Sequence, residues 1–286
     1  MCKEASCSAF DFWCAHHTAP YHFPMDSGTW FQSMYEDIDG DGRQLFDTLT
    51  SKYSRTAPHK SGSINGHIEY GVTAFGFDDS GDCSDQIHYK VIRDISFPPD
   101  APEIGQKLLD AALAEFGTKE RIYAYFHYFG MSACARHGKL HESQKHIHDL
   151  LLDHGFVVEH ENIYYSRVLT DADVQADTNV TLQWRDVSPG SCREFAASLD
   201  GQEVCWGQVH FLPQKDIAYL RWIFTDGAKQ HTGIGKRVMK QLFAELYALG
   251  IRRFDTDTAR ANTIAQHYYE KTGFQNEGIT RSYYTA

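Results

Sequence analysis

Seven residues, Gln230-His231-Thr232-Gly233-Ile234-Gly235-Lys236, put two glycines, small polar side chains and a cation into one short stretch. An apolar run from Ile217 to Thr225 leads in, and an amphipathic stretch from Arg237 to Leu249 follows. Strand, glycine loop and helix in that order aim several backbone N–H groups and a helix N-terminus at one point. Such a point binds phosphate. Glycine lets the backbone approach the anion with no Cβ in the way.

Other stretches invite metal chemistry and fit it less well. Asp37-x-Asp39-x-Asp41-Gly42 has the first half of a calcium loop, but the twelfth position is Thr48 where a bidentate Glu is needed. An Asp-Gly turn between helices is the preferred reading. Cys2, Cys7, Cys14, His16, His17 and His22 match no standard ligand spacing. The histidines between His127 and His160 form no HExxH pair, and His146 and His148 fall on different faces of a helix. Hydrogen-bonded or surface histidine is expected, and no metal.

The elements that must position the loop follow from periodicity. Apolar positions from Trp30 to Leu49 recur at helical spacing and predict two helices broken near Asp39-Gly42. Residues 67–77 and 86–97 read as strands, 106–116 as a helix, 121–126 as a strand, 146–152 as a helix, and 155–158 and 163–169 as strands. Thr170 to Val180 is polar and reads as a linker. Beyond it, 180–184, 203–212 and 217–225 read as strands, and 191–199 is ambiguous.

Composition bounds the function. The net charge is −11, with 24 acidic and 14 basic residues up to position 170 and 14 and 13 after it. A basic stripe for nucleic acid is missing, so that partner class is set aside. No apolar stretch approaches the ~20 residues of a membrane helix. Seven scattered cysteines, with neither a CxxC pair nor a secretory signal in the first residues, point to reduced thiols and a cytoplasmic location.

The chain repeats itself. Ile104-Gly105-Gln106-Lys107-Leu108-Leu109, a strand, a helix, Gly155-Phe156 and Tyr164-Tyr165 recur as Ile234-Gly235-Lys236-Arg237-Val238-Met239, a strand, a helix, Gly273-Phe274 and Tyr283-Tyr284. The first copy carries Asp100 where the second has Gln230, and Glu103 where it has Gly233. Two carboxylates would repel a phosphate, so the first cradle reads as degenerate.

The second copy resembles the GNAT superfamily of acyl-CoA-dependent N-acyltransferases. Gln230-His231-Thr232-Gly233-Ile234-Gly235 fits that family's pyrophosphate loop. Asn262-Thr263-Ile264-Ala265-Gln266-His267-Tyr268-Tyr269-Glu270-Lys271-Thr272-Gly273-Phe274 fits its helix motif. The tandem arrangement with one decayed copy resembles mycothiol-synthase-like double-domain members. The resemblance implies an α/β (α+β) fold of two GNAT-like domains, each a mixed, mostly antiparallel twisted sheet flanked by helices. It implies acetyl-CoA as co-substrate, held by Ile223, Phe224 and Thr225 at a splayed strand end, by Gln230, His231, Thr232, Gly233, Ile234, Gly235 and Lys236, and by Asn262. It makes Tyr269 the acid for the leaving thiolate.

A base is less specified: Asp255, Asp257, Glu203 and His210 lie on strands that should reach the site. Asp257 is preferred as base, with Glu203 and Asp255 facing the substrate. The expected domains are 1–170, a degenerate copy that helps to form the acceptor site, a linker at 171–180, and a catalytic domain at 181–286. The expected activity is acetyl transfer to a primary amine of a small, cationic acceptor such as an antibiotic or polyamine. A non-catalytic acyl-CoA-binding or sensory protein and a protein or peptide N-acetyltransferase stay open as alternatives.

Overall fold

The computed structural model describes residues 3–35, 43–56, 63–117, 120–188 and 191–286. The half calcium loop at Asp37, Asp39 and Asp41 lies outside them, as does Cys2. The chain divides into two compact units.

Unit 1 contains α1 (Lys3–His16), α2 (Ser27–Tyr35), β1 (Phe46–Arg55), β2 (Ile64–Thr73) and a small hairpin of β3 (Gly76–Phe77) and β4 (Cys83–Ser84). It continues with β5 (Lys90–Ser96), α3 (Pro102–Phe116), β6 (Ile122–Ala124), β7 (Leu140–His141), α4 (Lys145–Asp153) and the start of β8 (Phe156–Val168). β1, β2 and β5 pair antiparallel, and β6 joins β5 in parallel. The second predicted helix, around Leu45 to Leu49, is instead the start of β1. Its register with β2, Thr48↔Val72 through Lys52↔Ile68, explains why: Thr48 and Thr50 suit a pleated surface, and the apolar residues nearby serve a sheet. Several histidines of this unit are hydrogen-bonded, among them His154 Nδ1 to Leu150 O (2.8 Å) and His148 Nδ1 to the Tyr283 hydroxyl (2.9 Å).

Unit 2 spans Asn162–Ile279. β9 (Val180–Ser188), β10 (Cys192–Leu199), β11 (Gln202–Phe211) and β12 (Ile217–Thr225) form an antiparallel meander, which settles 191–199 as a strand. Then come α5 (Ile234–Ala248), β13 (Arg253–Ala259), α6 (Thr263–Lys271) and β14 (Gln275–Thr285). β13 runs parallel to β12 and antiparallel to the second half of β8. Val238, Met239, Leu242, Phe243 and Leu246 line one stripe of α5 and are buried in the core. At roughly 1.5–3 kcal/mol each, relative to exposure, they fix the helix on the sheet. The loop at its N-terminus therefore has a rigid support.

The units do not divide at residues 171–180, where a linker was expected. The division falls at 161/162, inside β8, and residues 280–286 belong to unit 1. There Tyr283 pairs with Ala124 and Tyr284 with Tyr123. Each repeat thus gives the end of its last strand to the other unit. The polar residues of 171–180 do capping and ion-pair work within unit 2. Thr170 and Asp173 form a capping box at a 3₁₀ turn, Asp171 accepts from the Tyr247 hydroxyl, and Asp177 holds Arg237 through two bonds of 2.8 and 2.9 Å. No helix among the described residues is long and apolar enough to cross a membrane.

Candidate active site

β12 and β13 pair only from Ile217↔Arg253 to Leu220↔Thr256. Beyond that point β12 runs on to Thr225 beside β11 alone, and β13 to Ala259 beside β8 alone. The strands part into a fork. A bulge causes it: Gln208 pairs with Trp222 but Val209 with Leu220, so Arg221 is the extra residue on β12. A bulge bends the strand and reverses which residues face the core. Ile223 accordingly packs on the same core as Leu220, whereas Trp222 (41 % exposed) and Phe224 (55 %) face outward.

The glycine loop closes onto the end of this fork. The Gln230 side chain donates to Thr225 O at 3.0 Å, and the Thr232 hydroxyl donates to Lys229 O. His231 (φ 59°) and Gly233 (φ 84°) both adopt the left-handed conformation, which glycine accepts without strain. Gly233 is the N-cap of α5 with no side-chain cap, no acidic residue lies in the first turn, and a Cβ at Gly233 would meet nothing within 4 Å. The first N–H groups of α5 are thus left to an external acceptor. Tyr268 braces the loop from α6: its hydroxyl donates to Gly235 O at 2.8 Å, and its ring would lie 3.3 Å from a Cβ at Gly235.

Tyr269 stands at the base of the fork. It is buried, with Tyr165, Tyr268 and Phe274 around its ring, and its hydroxyl shares a hydrogen bond with Thr256. Thr256 in turn donates to Leu220 O at 3.0 Å, the last paired residue of β12. Burial first, and then the charge of Asp257, pushes the phenol up to about 12. Asn262 caps α6, accepting from Ala265 N at 3.1 Å.

The carboxylates separate. Asp257 is half-buried and accepts from the Tyr219 hydroxyl on one oxygen and from Asn162 Nδ2 on the other, which fixes its orientation. Asp255 is fully buried beneath the surface, bonded to Arg253 (2.9 and 3.1 Å) and to the Tyr164 hydroxyl (2.8 Å). Its carboxylate is spent on the sheet rather than offered to a ligand, and burial raises its pKa to about 6. Glu203 is exposed and accepts from Trp206 Nε1 at 3.2 Å, and Trp206 stacks on Phe224 at 6.1 Å.

Sequence reasoning missed Thr256 and the bulge. A signal for the bulge was present: Ile92-Arg93 and Leu220-Arg221 hold the same place in the repeat, and Arg93 is the extra residue of β5 between Tyr70↔Ile92 and Glu69↔Asp94. In unit 1 the fork between β5 and β6 opens after Ile92↔Ala124. There, however, the Tyr125 hydroxyl accepts from Ile95 N (3.1 Å) and donates to Ile95 O (2.9 Å), which fills the gap. At the start of α3 the Phe97 ring would lie 2.3 Å from a Cβ at Gly105, and Pro102 and Glu103 form the first turn. The residues of unit 1 do not fit a pantetheine arm or a pyrophosphate; those of unit 2 do.

Residues 156–274 match the Acetyltransferase (GNAT) family. No curated protein matches the chain. Among solved structures, a tandem GNAT protein from the clavulanic acid biosynthesis pathway is similar with a TM-score of 0.63 and 12% identity, over 98% of this chain and 94% of that one. A glucosamine N-acetyltransferase region of a fungal multi-domain β-N-acetylglucosaminidase is similar with a TM-score of 0.63 and 10% identity, over 98% of this chain and 37% of that one. A GCN5-related N-acetyltransferase from Sphaerobacter thermophilus gives a TM-score of 0.53 at 11% identity, over 91% and 85%. The open fork, the uncapped glycine loop and these matches agree: residues 156–274 carry the GNAT family pattern, and the chain as a whole has a fold similar to that of a tandem GNAT protein.

Proposed function

We propose that the chain is an acetyl-CoA-dependent N-acetyltransferase whose unit 2 carries the chemistry, acting on a primary amine of a small cationic acceptor. The observation that carries this reading is the pairing of an open fork with an uncapped α5 N-terminus, directly above a buried tyrosine. When bound, acetyl-CoA supplies an activated thioester. The loop from His231 to Lys236 presents N–H donors and the positive end of α5 to its pyrophosphate. Backbone donors on Ile223 to Thr225 orient the arm and polarise the carbonyl.

Tyr269 keeps its proton at neutral pH because burial pushes its pKa up to about 12. A thiol titrates near ~8.5, so the phenol steadies the departing sulfur chiefly by donating a hydrogen bond. Asp257, held by Tyr219 and Asn162, takes the proton released by the attacking ammonium, directly or through water. An N–C bond forms and a C–S bond breaks, and the ammonium nitrogen gives up two protons, one to Asp257 and one that ends on the departing sulfur. The exposed Trp222 and Phe224 rings, with half-buried Trp206 bonded to Glu203, suit a cationic acceptor, since ring faces and a carboxylate both attract ammonium groups. The test is release of CoA by the full chain with acetyl-CoA and a panel of polyamines and aminoglycosides. Turnover with cationic amines above background hydrolysis is expected. Unchanged CoA release across the whole panel would overturn the proposal.

A further inference from the structure

A cleft of about 320 Å³ lies beside the glycine loop, between the first half of α5 and the end of α6. Its walls carry an excess of positive charge. Two of the cations are already answered: Arg237 by Asp177, and Arg167 by Asp173 (2.5 Å) and Thr272 O (2.7 Å). Lys236, Lys240 and Lys271 line the same cleft, are exposed, and make no hydrogen bond or ion pair among the described residues, with Asp177 near enough to Lys240 to feel its charge. Lys236 and Lys240 are four residues apart and share a face of α5, where like charges repel. Asp173, the one carboxylate on the wall, is consumed by Arg167. Three ammonium groups around one cavity, none of them bonded to a carboxylate, call for an anion.

We propose that this cleft is a second anion site, and that it takes the 3′-phosphate of the CoA adenosine through Lys240 and Lys271, with Lys236 shared between the two phosphate positions. The inference rests on the acetyl-CoA reading of unit 2. Its basis is continuity: Lys236 belongs to the pyrophosphate loop, and Lys240 stands one helical turn farther along the same face, a rise of ~5–6 Å that a single ribose spans. Lys271, in the last turn of α6, closes the cleft from the other side. The chemistry is that of a phosphate monoester dianion, and a free phosphate would satisfy it equally, so the experiment must separate the two.

The full chain is titrated calorimetrically with CoA, with 3′-dephospho-CoA and with inorganic phosphate, as wild type and as the Lys240→Met/Lys271→Met variant. CoA is expected to bind about tenfold or more tighter than 3′-dephospho-CoA, a difference of ~1.4 kcal/mol per decade. The double variant is expected to lose that preference while its affinity for 3′-dephospho-CoA stays the same. Equal affinity of the wild type for the two nucleotides would overturn the assignment. So would a preference that survives in the double variant, or inorganic phosphate binding that the variant loses while CoA binding does not change. If neither nucleotide binds, it is the acetyl-CoA reading of unit 2 that fails.

Discussion

Two forks, in β5/β6 and in β12/β13, share a pairing register and an arginine bulge, yet only one is open. In unit 1 the phenol of Tyr125 satisfies both the N–H and the C=O of Ile95, while Phe97 covers Gly105 at the helix start. In unit 2 the residue that corresponds by register to Ile95 is Ile223, and no side chain among the described hydrogen bonds reaches its backbone. Thr225 stands where Phe97 stands. A bound arm and a buried tyrosine are alternative ways to satisfy the same polar groups, because a fork in a sheet leaves donors and acceptors that something must meet. The bulge makes the fork, and side chains decide whether protein or ligand fills it.

The largest effect should come from moving the plug. Thr225→Phe places the unit 1 residue over Gly235 and should weaken acetyl-CoA binding by about 100-fold or more, ~3 kcal/mol, with the circular dichroism spectrum retained. An unchanged dissociation constant would mean that Phe97 is not what closes the first fork. Tyr269→Phe should lower kcat by about 100-fold, with the dissociation constant for acetyl-CoA within about twofold of wild type. Because burial holds the Tyr269 phenol at about 12, wild-type kcat should show no loss from its ionisation below pH ~10. A basic limb that disappears in the phenylalanine variant at lower pH would contradict that placement.

In unit 1, Tyr125→Phe leaves both Ile95 groups buried and unmet, and should cost about 1–3 kcal/mol of stability without changing acetyl-CoA affinity. Denaturant titration reads the first quantity and calorimetry the second. The smallest effect concerns Asp255. Its folded pKa of about 6 exceeds an unfolded value of ~3.9, so the folded state binds the proton more tightly. This group therefore adds stability as pH falls from ~6 to ~4 and withdraws it as pH rises through the same window. Asp255→Asn should flatten that slope in thermal melts between pH 4 and 7.

Much of the second fork was legible in the chain itself. The glycine loop and the motif from Asn262 to Phe274 are local patterns, and local patterns survive reading without coordinates. Asp100 and Glu103, which set the first helix start apart from the second, were legible too. What stayed hidden was non-local. Tyr125 is one aromatic residue in an aromatic-rich stretch just past β6, and nothing nearby marks its hydroxyl as the partner of Ile95. The exchange of strand ends was hidden for the same reason: β8 and β14 look like ordinary last strands of their repeats, and pairing with β13 or β6 is a tertiary choice. The polar residues at 171–180 read as a linker because capping and ion-pair residues have the same composition as one. Asp255 and Asp257 share a strand face, but burial separates them, and alternation alone cannot report burial.

We propose that the one working acyl-CoA fork is that of unit 2. Calorimetric titration of the full chain with acetyl-CoA tests it most directly, with Gly233→Glu as the partner measurement, since that change imports the carboxylate of Glu103 at a position of positive φ. The account predicts a stoichiometry of one that falls to no measurable binding in Gly233→Glu. Two sites in the wild type, or a single site that survives Gly233→Glu, would contradict it.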